Sequence, residues 1–150
     1  MTLDIKRATL TDLDEVSRLF DLYRQFYKQP ADLDKARRYI EARITNNESI
    51  IYLATDEEGN GLGFTQLYAT FCSVAAAPIW ILYDLYVDVG VRKGGVGTAL
   101  MNRARKLAEE TGAVRIQLET AVDNLTAQSV YEALGYERDT AFYNYALAIE

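Results

Sequence analysis

The sequence predicts an α/β fold in the order β-α-α-β-β-β-α-β-α-β-β, and three observations predict it. Apolar residues recur at helical spacing in two early segments, and a middle block is rich in β-branched and aromatic residues. A nearly continuous apolar strand then breaks at glycines into an amphipathic helix. At 150 residues the chain matches one domain, residues 1–150, able to bury roughly 70% of its unfolded surface.

The elements follow in order. A short strand is expected near 3–7. Thr11 and Asp14 stand at capping-box spacing before Leu13, Val16, Leu19, Phe20 and Tyr23, which predicts the first helix. Pro30 interrupts, Asp32 can cap, and Leu33, Ala36, Ile40 and Ile44 form the stripe of a second helix. Residues 50–54 and 63–71 read as a hairpin around a turn at 56–61. Residues 79–87 are apolar enough for a central strand covered on both faces. Val96, Leu100, Ala104 and Leu107 then mark a helix stopped at Gly112, and residues 115–120 a strand. Residues 125–134 form a short helix between Asn124 and Gly135, and two last strands are expected near 136–142 and 143–149.

Composition removes several kinds of chemistry. A formal charge of -6 supplies no basic footprint for nucleic acid, and a cationic partner is the easier electrostatic match. No histidine is present, so Ser-His-Asp and Cys-His catalysis and His-containing metal sites are excluded. Carboxylates, tyrosines, backbone amides and water remain. The single cysteine, Cys72, permits no intrachain disulfide and, with no basic neighbour in sequence, reads as an inert small hydrophobe. No stretch approaches the roughly 20 apolar residues of a membrane span, and a cytoplasmic protein without membrane partners is expected.

The most informative segment is the strand ending at Val87 followed by Arg92-Lys93-Gly94-Gly95-Val96-Gly97-Thr98. Glycines let the backbone approach an anion, and the first helical amides point outward as donors. A pyrophosphate fits there, aided by the helix dipole and by Arg92 and Lys93; a plain tight turn would use the same glycines. The Walker loop fits worse because the lysine precedes the glycines, and the Rossmann spacing is incomplete.

Arg92, Gly95 and Gly97 match Arg/Gln-x-x-Gly-x-Gly/Ala, and here the sequence resembles the GNAT superfamily of N-acetyltransferases. Leu85-Tyr86-Val87 looks like the family's splayed fourth strand, and 124–136 looks like its Asn, Ala, Tyr, Gly-Phe/Tyr segment. Together these cover essentially the whole chain. Tyr83 to Asp88 and Tyr136 to Asp139 are similar to small acetyltransferases of the diamine/polyamine and histone-or-amino-acid type.

The resemblance implies a mixed, strongly twisted sheet flanked by helices, with acetyl-coenzyme A as acetyl donor and direct transfer in a ternary complex. It implies that amides of Val91, Arg92, Lys93, Gly94, Gly95, Val96, Gly97 and Thr98 bind pyrophosphate and that Leu85 and Val87 pair with the pantetheine arm. It also implies that Asn124 lies beside the cofactor and Tyr131 near its sulfur, where a phenol can protonate the leaving thiolate. Without the motif Tyr131 reads as a core aromatic sharing a face with Ala127 and Leu134.

Asp84 interrupts an apolar strand and needs a partner or a wet cleft. It can anchor a substrate ammonium or relay a proton, or it is a structural carboxylate accepting backbone hydrogen bonds. Glu119 is a second candidate of this kind, and the family's more usual base position is occupied by Tyr83. Tyr23, Phe26, Tyr27 and Tyr68 border the acceptor pocket by resemblance, or else serve core or interface. The expected acceptor is a primary amine: a polyamine, an amino acid derivative, or the lysine of a peptide. No metal is needed, and a homodimer or higher homo-oligomer is expected. The rival reading is a GNAT-like sensor that holds the coenzyme without turnover.

Overall fold

The structure is a computed structural model that describes residues 3–91 and 94–149. It forms two compact units, Met1–Leu118 and Glu119–Glu150.

The first unit carries a five-stranded mixed sheet in the order β1-β2-β3-β4-β5. β1 (Asp4–Arg7), β2 (Ile50–Thr55), β3 (Gly61–Cys72) and β4 (Ala77–Val87) pair antiparallel in succession. β5 (Ile116–Gln117) runs parallel to β4 and pairs with Trp80 and Ile81.

Helices α1 (Leu13–Phe26) and α2 (Leu33–Thr45) pack on one face. Their core joins Val16, Leu19, Phe20, Ala36 and Ile40 to Ile51, Leu53, Phe64 and Tyr86 of the sheet. Strand side chains alternate between faces, so Tyr52, next to Ile51, turns to the opposite side. There its ring lies 4.5 Å from the guanidinium of Arg103, on α3 (Val96–Thr111). The buried stripe of α3 is Val96, Leu100, Met101, Ala104 and Ala108. Leu107, expected on it, is half-buried because the stripe passes through its neighbour.

Asp32 caps α2 as expected, accepting from the Lys35 amide at 3.1 Å. The capping box of the first helix sits two residues earlier than expected, where Thr9 and Asp12 have the same spacing. The Thr9 amide donates to Asp12 Oδ2 at 2.9 Å and starts a 3-10 turn, Leu10–Asp12, that leads into α1.

The second unit contains α4 (Leu125–Ala133), capped by Asn124, whose Oδ1 accepts from the Ala127 amide at 3.2 Å. Gly135 follows with φ 95°, the left-handed geometry that ends a helix. Two expectations are corrected at this end of the chain. The strand expected over 115–120 is only Ile116–Gln117. The strands expected at 136–142 and 143–149 are not formed among the described residues. Tyr143, Tyr145, Leu147 and Ile149 do alternate, but a strand requires a ladder partner, and none is paired with this segment among the described residues. Among the described residues no helix is long and apolar enough to cross a membrane.

Candidate active site

One irregularity organises the site. β3 and β4 pair without a gap from Gly63 opposite Val87 to Gln66 opposite Asp84; the register then shifts, and Leu67 faces Leu82. Tyr83 is the extra residue of a β-bulge, which re-aims side chains and leaves a backbone group to be satisfied elsewhere. Its carbonyl accepts from the Tyr23 hydroxyl at 3.2 Å, and its side chain is 68% exposed.

Asp84, beside the bulge, faces α1 and is only 4% exposed. Its Oδ2 accepts from Gln66 Nε2 at 2.7 Å, and the Tyr23 hydroxyl is a second partner. The Gln66 Oε1 in turn accepts from Ser49 Oγ at 2.7 Å. These partners are side chains, unlike the backbone donors of a purely structural carboxylate. Burial pushes the Asp84 carboxyl above its ordinary value, and the bonds from Gln66 and Tyr23 pull partly against that rise.

Several phenols gather around Asp84. Tyr23 meets Tyr27 edge-on at 5.1 Å, and Tyr68 meets Tyr83 edge-on at 5.9 Å. Tyr39 and Tyr68 share a 2.6 Å hydrogen bond between hydroxyls. Burial first, and then the negative charge of Asp84, push the Tyr23 and Tyr27 phenols upward. In Tyr68 the rise comes from burial, the bond to Tyr39 and then Asp84. The structure thus brings together Tyr23, Tyr27, Tyr68, Tyr83 and Asp84. Phe26 touches this group through Tyr27, at 5.2 Å between rings.

The next residues of β4 turn the other way. Leu85 and Val87 lie on the α3 face, and a Cβ added at Gly97 would meet Val87 Cγ2 at 3.6 Å. After Val87 the backbone is pinned by Asp88, whose amide donates to the Leu62 carbonyl at 2.8 Å and whose carbonyl accepts from Val91 at 3.0 Å. Gly94 then bonds back to Val91. Gly95 enters α3 with φ 77°, which L side chains rarely adopt, and open space surrounds it. It offers no side chain to cap α3, and the first turn carries no acidic residue. The opening amides of α3 therefore form a positive helix end with no acidic residue in its first turn, the arrangement that binds a phosphate. Arg92 and Lys93, expected in this loop, lie outside the described residues.

Asn124 and Tyr131 belong to the second unit. Since Asn124 Oδ1 is committed to the cap, its Nδ2 donors are what it can offer a ligand. Tyr131 sits half-buried on α4, its ring 6.1 Å from that of Tyr136, whose amide donates to the Tyr131 carbonyl at 3.0 Å. Glu119 is not on a strand, because β5 ends at Gln117; it is the exposed first residue of the second unit.

The sequence matches the Acetyltransferase (GNAT) family over residues 16–136. The chain belongs to that family. Among its GNAT relatives is the uncharacterized N-acetyltransferase YhfO of Bacillus subtilis (strain 168), 42% identical over 98% of each chain. A crystal structure of a probable acetyltransferase superposes with a TM-score of 0.92 at 43% identity, covering 98% of both chains. AAC(6')-Iy, solved in complex with the bisubstrate analog CoA-S-monomethyl-acetylneamine, shares the fold at a TM-score of 0.82 and 20% identity, over 99% of this chain and 100% of that one.

The protein is accordingly a GNAT N-acetyltransferase, with acetyl-coenzyme A as acetyl donor. Its own residues fit that donor: the uncapped, acid-free start of α3 suits a pyrophosphate. Sequence reasoning missed Gln66, Ser49 and Tyr39. Gln66 carried a signal, being a fully buried amide in an apolar strand, just as Asp84 is a carboxylate in one. Nor could it show what lies beside Cys72, whose thiol is held below its ordinary value by a backbone bond from Ala75 and, further, by Arg115, a neighbour only in the fold.

Proposed function

We propose that residues 1–150 form one N-acetyltransferase domain that acetylates a cationic primary amine, a polyamine, an amino acid derivative or a lysine side chain, by direct attack in a ternary complex. The observation that carries this reading is the buried Asp84 carboxylate, set at the β4 bulge among tyrosines. A carboxylate there attracts an ammonium, and the phenols around it offer faces that favour cations. The net charge of -6 acts in the same direction.

Acetyl-coenzyme A supplies the activated acetyl group. The amides that open α3, Val96 to Thr98, hold its pyrophosphate, those of Val91 and Gly94 being already given to the Asp88 and Val91 carbonyls; Leu85 and Val87 align the arm that carries the acetyl, and Asn124 donates from Nδ2. Asp84 receives the proton that the ammonium must lose before its nitrogen can attack; a carboxyl raised by burial is the stronger base. Tyr131 gives a proton to the sulfur as the C–S bond breaks. Tyr27 and Tyr83 flank the acceptor. Glu119 is the weaker second carboxylate of the acceptor side. The enzyme works in the cytoplasm as a homodimer or higher homo-oligomer, which light scattering on the purified chain measures.

The deciding experiment is a panel of amines with acetyl-coenzyme A, read as free thiol release. Turnover is expected on polyamines and basic amino acid derivatives. Turnover confined to neutral or acidic amines sinks the reading, and thiol release without any amine reports hydrolysis.

A further inference from the structure

The polar chain behind Asp84 is not explained by folding. Gln66 has no exposed surface and Ser49 very little, and each brings polar atoms that cost stability unless paired. Apolar residues of similar shape would fill the same space without that cost. The two side chains form a line ending on the carboxylate: Ser49 Oγ to Gln66 Oε1 at 2.7 Å, then Gln66 Nε2 to Asp84 Oδ2 at 2.7 Å.

The chemistry of each group fixes the direction of that line. An ionised carboxylate only accepts, so the NH2 end of the amide must face it. The amide carbonyl is thereby turned to Ser49, which must donate. Backbone geometry holds both ends: Gln66 lies directly across the ladder from Asp84, immediately before the register shift, and Thr65 Oγ1 ties the Asp84 carbonyl at 2.8 Å.

We infer that Gln66, oriented by Ser49, is a positioning residue that holds Asp84 as an ionised acceptor for the proton of the substrate amine. This rests on the role given to Asp84 above. The titratable groups facing Asp84 from the packed elements are phenols: Tyr23 and Tyr27 from α1 and its C-cap, Tyr68 from β3, and Tyr83 beside it. Arg43 of α2 is spent on Tyr39 and Glu48, with the Tyr39 ring 4.4 Å below its guanidinium. The amide of Gln66 is thus the first neutral donor, ahead of the Tyr23 hydroxyl, that works against burial at Asp84.

The test is the pH profile of kcat/KM on an amine accepted by the wild type, measured for Gln66→Met, Ser49→Ala and Asp84→Asn. Loss of a hydrogen bond to a charged group shifts an ionisation by about one to two pH units. Gln66→Met is therefore expected to move the acid limb upward by that much, and Ser49→Ala to move it in the same direction by less. A purely structural role would lower Tm or scale the rate at all pH values without moving the limb. If Gln66→Met does not fold, the Ser49→Ala limb decides. An acid limb that stays at the wild-type pH in these variants, while Asp84→Asn abolishes it, overturns the inference and leaves the role of Asp84 standing. A wild-type limb persisting in Asp84→Asn overturns the role of Asp84 itself.

Discussion

Gln66 Nε2 and Asp84 Oδ2 meet at 2.7 Å across the last pair before the β3–β4 register breaks. A buried amide and a buried carboxylate are thus locked together at the residue next to the bulge. The strand can then present a charge to the α1 face and apolar side chains to the α3 face within two positions.

Asp84→Asn separates activity from stability. Asparagine keeps an oxygen for Gln66 and Tyr23 but cannot take a proton, so kcat/KM on a cationic amine should fall on the order of 10²-fold or more. Stability should move the other way. Burial raises the folded carboxyl above the ordinary 3.8, so its protonated form is the one the fold favours. That contribution is present below pH 3.8 and is lost as pH rises through the raised value. Urea unfolding at neutral pH should therefore find Asp84→Asn at least as stable as the wild type; a markedly less stable variant would mean the charge itself holds the fold.

Gly97→Asp should weaken acetyl-coenzyme A binding while leaving the helix sound. A Cβ at this position meets only ordinary contact with Val87, 3.6 Å away. A carboxylate in the first turn of α3 favours the helix by about 0.3–1 kcal/mol. The same charge repels a pyrophosphate held by those amides. Calorimetry should show a loss of affinity on the order of 10²-fold with Tm unchanged or higher; unchanged affinity removes this helix start from the coenzyme site.

Gly63→Ala tests the seat of that loop. The added Cβ would lie 2.7 Å from the Tyr86 carbonyl oxygen and 3.3 Å from Val96 Cγ1. The first is a backbone atom, so β3 and β4 must move apart, at a cost of about 1–3 kcal/mol. A Tm lower by several degrees is expected. Wild-type Tm would show that the strands have slack there.

Much of this architecture was legible because its signals are local. Helical stripes, the Asp32 cap and the glycines before α3 are each read within a few residues. The anomaly of Asp84 was visible too, since a carboxylate stands out in an apolar strand. Its partners were not, because the pairing of Gln66 with Asp84 depends on register, and the bulge at Tyr83 is a property of two strands together. The same holds for the Tyr39–Tyr68 bond between α2 and β3, and for Arg115 beside Cys72. Residues 136–149 failed for the complementary reason: alternation shows that a segment can pair, not that a partner is present.

Tyr131→Phe addresses the other half of the chemistry. The phenol sits on α4, whose cap at Asn124 and left-handed Gly135 do not depend on the hydroxyl. The ring contact with Tyr136 and the bond from its amide to the Tyr131 carbonyl also survive the substitution. The fold should be unchanged by circular dichroism and Tm. What disappears is a proton donor at the moment negative charge forms on sulfur. Since that charge is absent from the bound ground state, the loss should fall on kcat, on the order of 10²-fold or more, with the acetyl-coenzyme A dissociation constant close to wild type. A variant weakened in coenzyme affinity but not in turnover would make Tyr131 a binding residue. Wild-type values of both would leave it a packing residue of α4, with water protonating the thiolate.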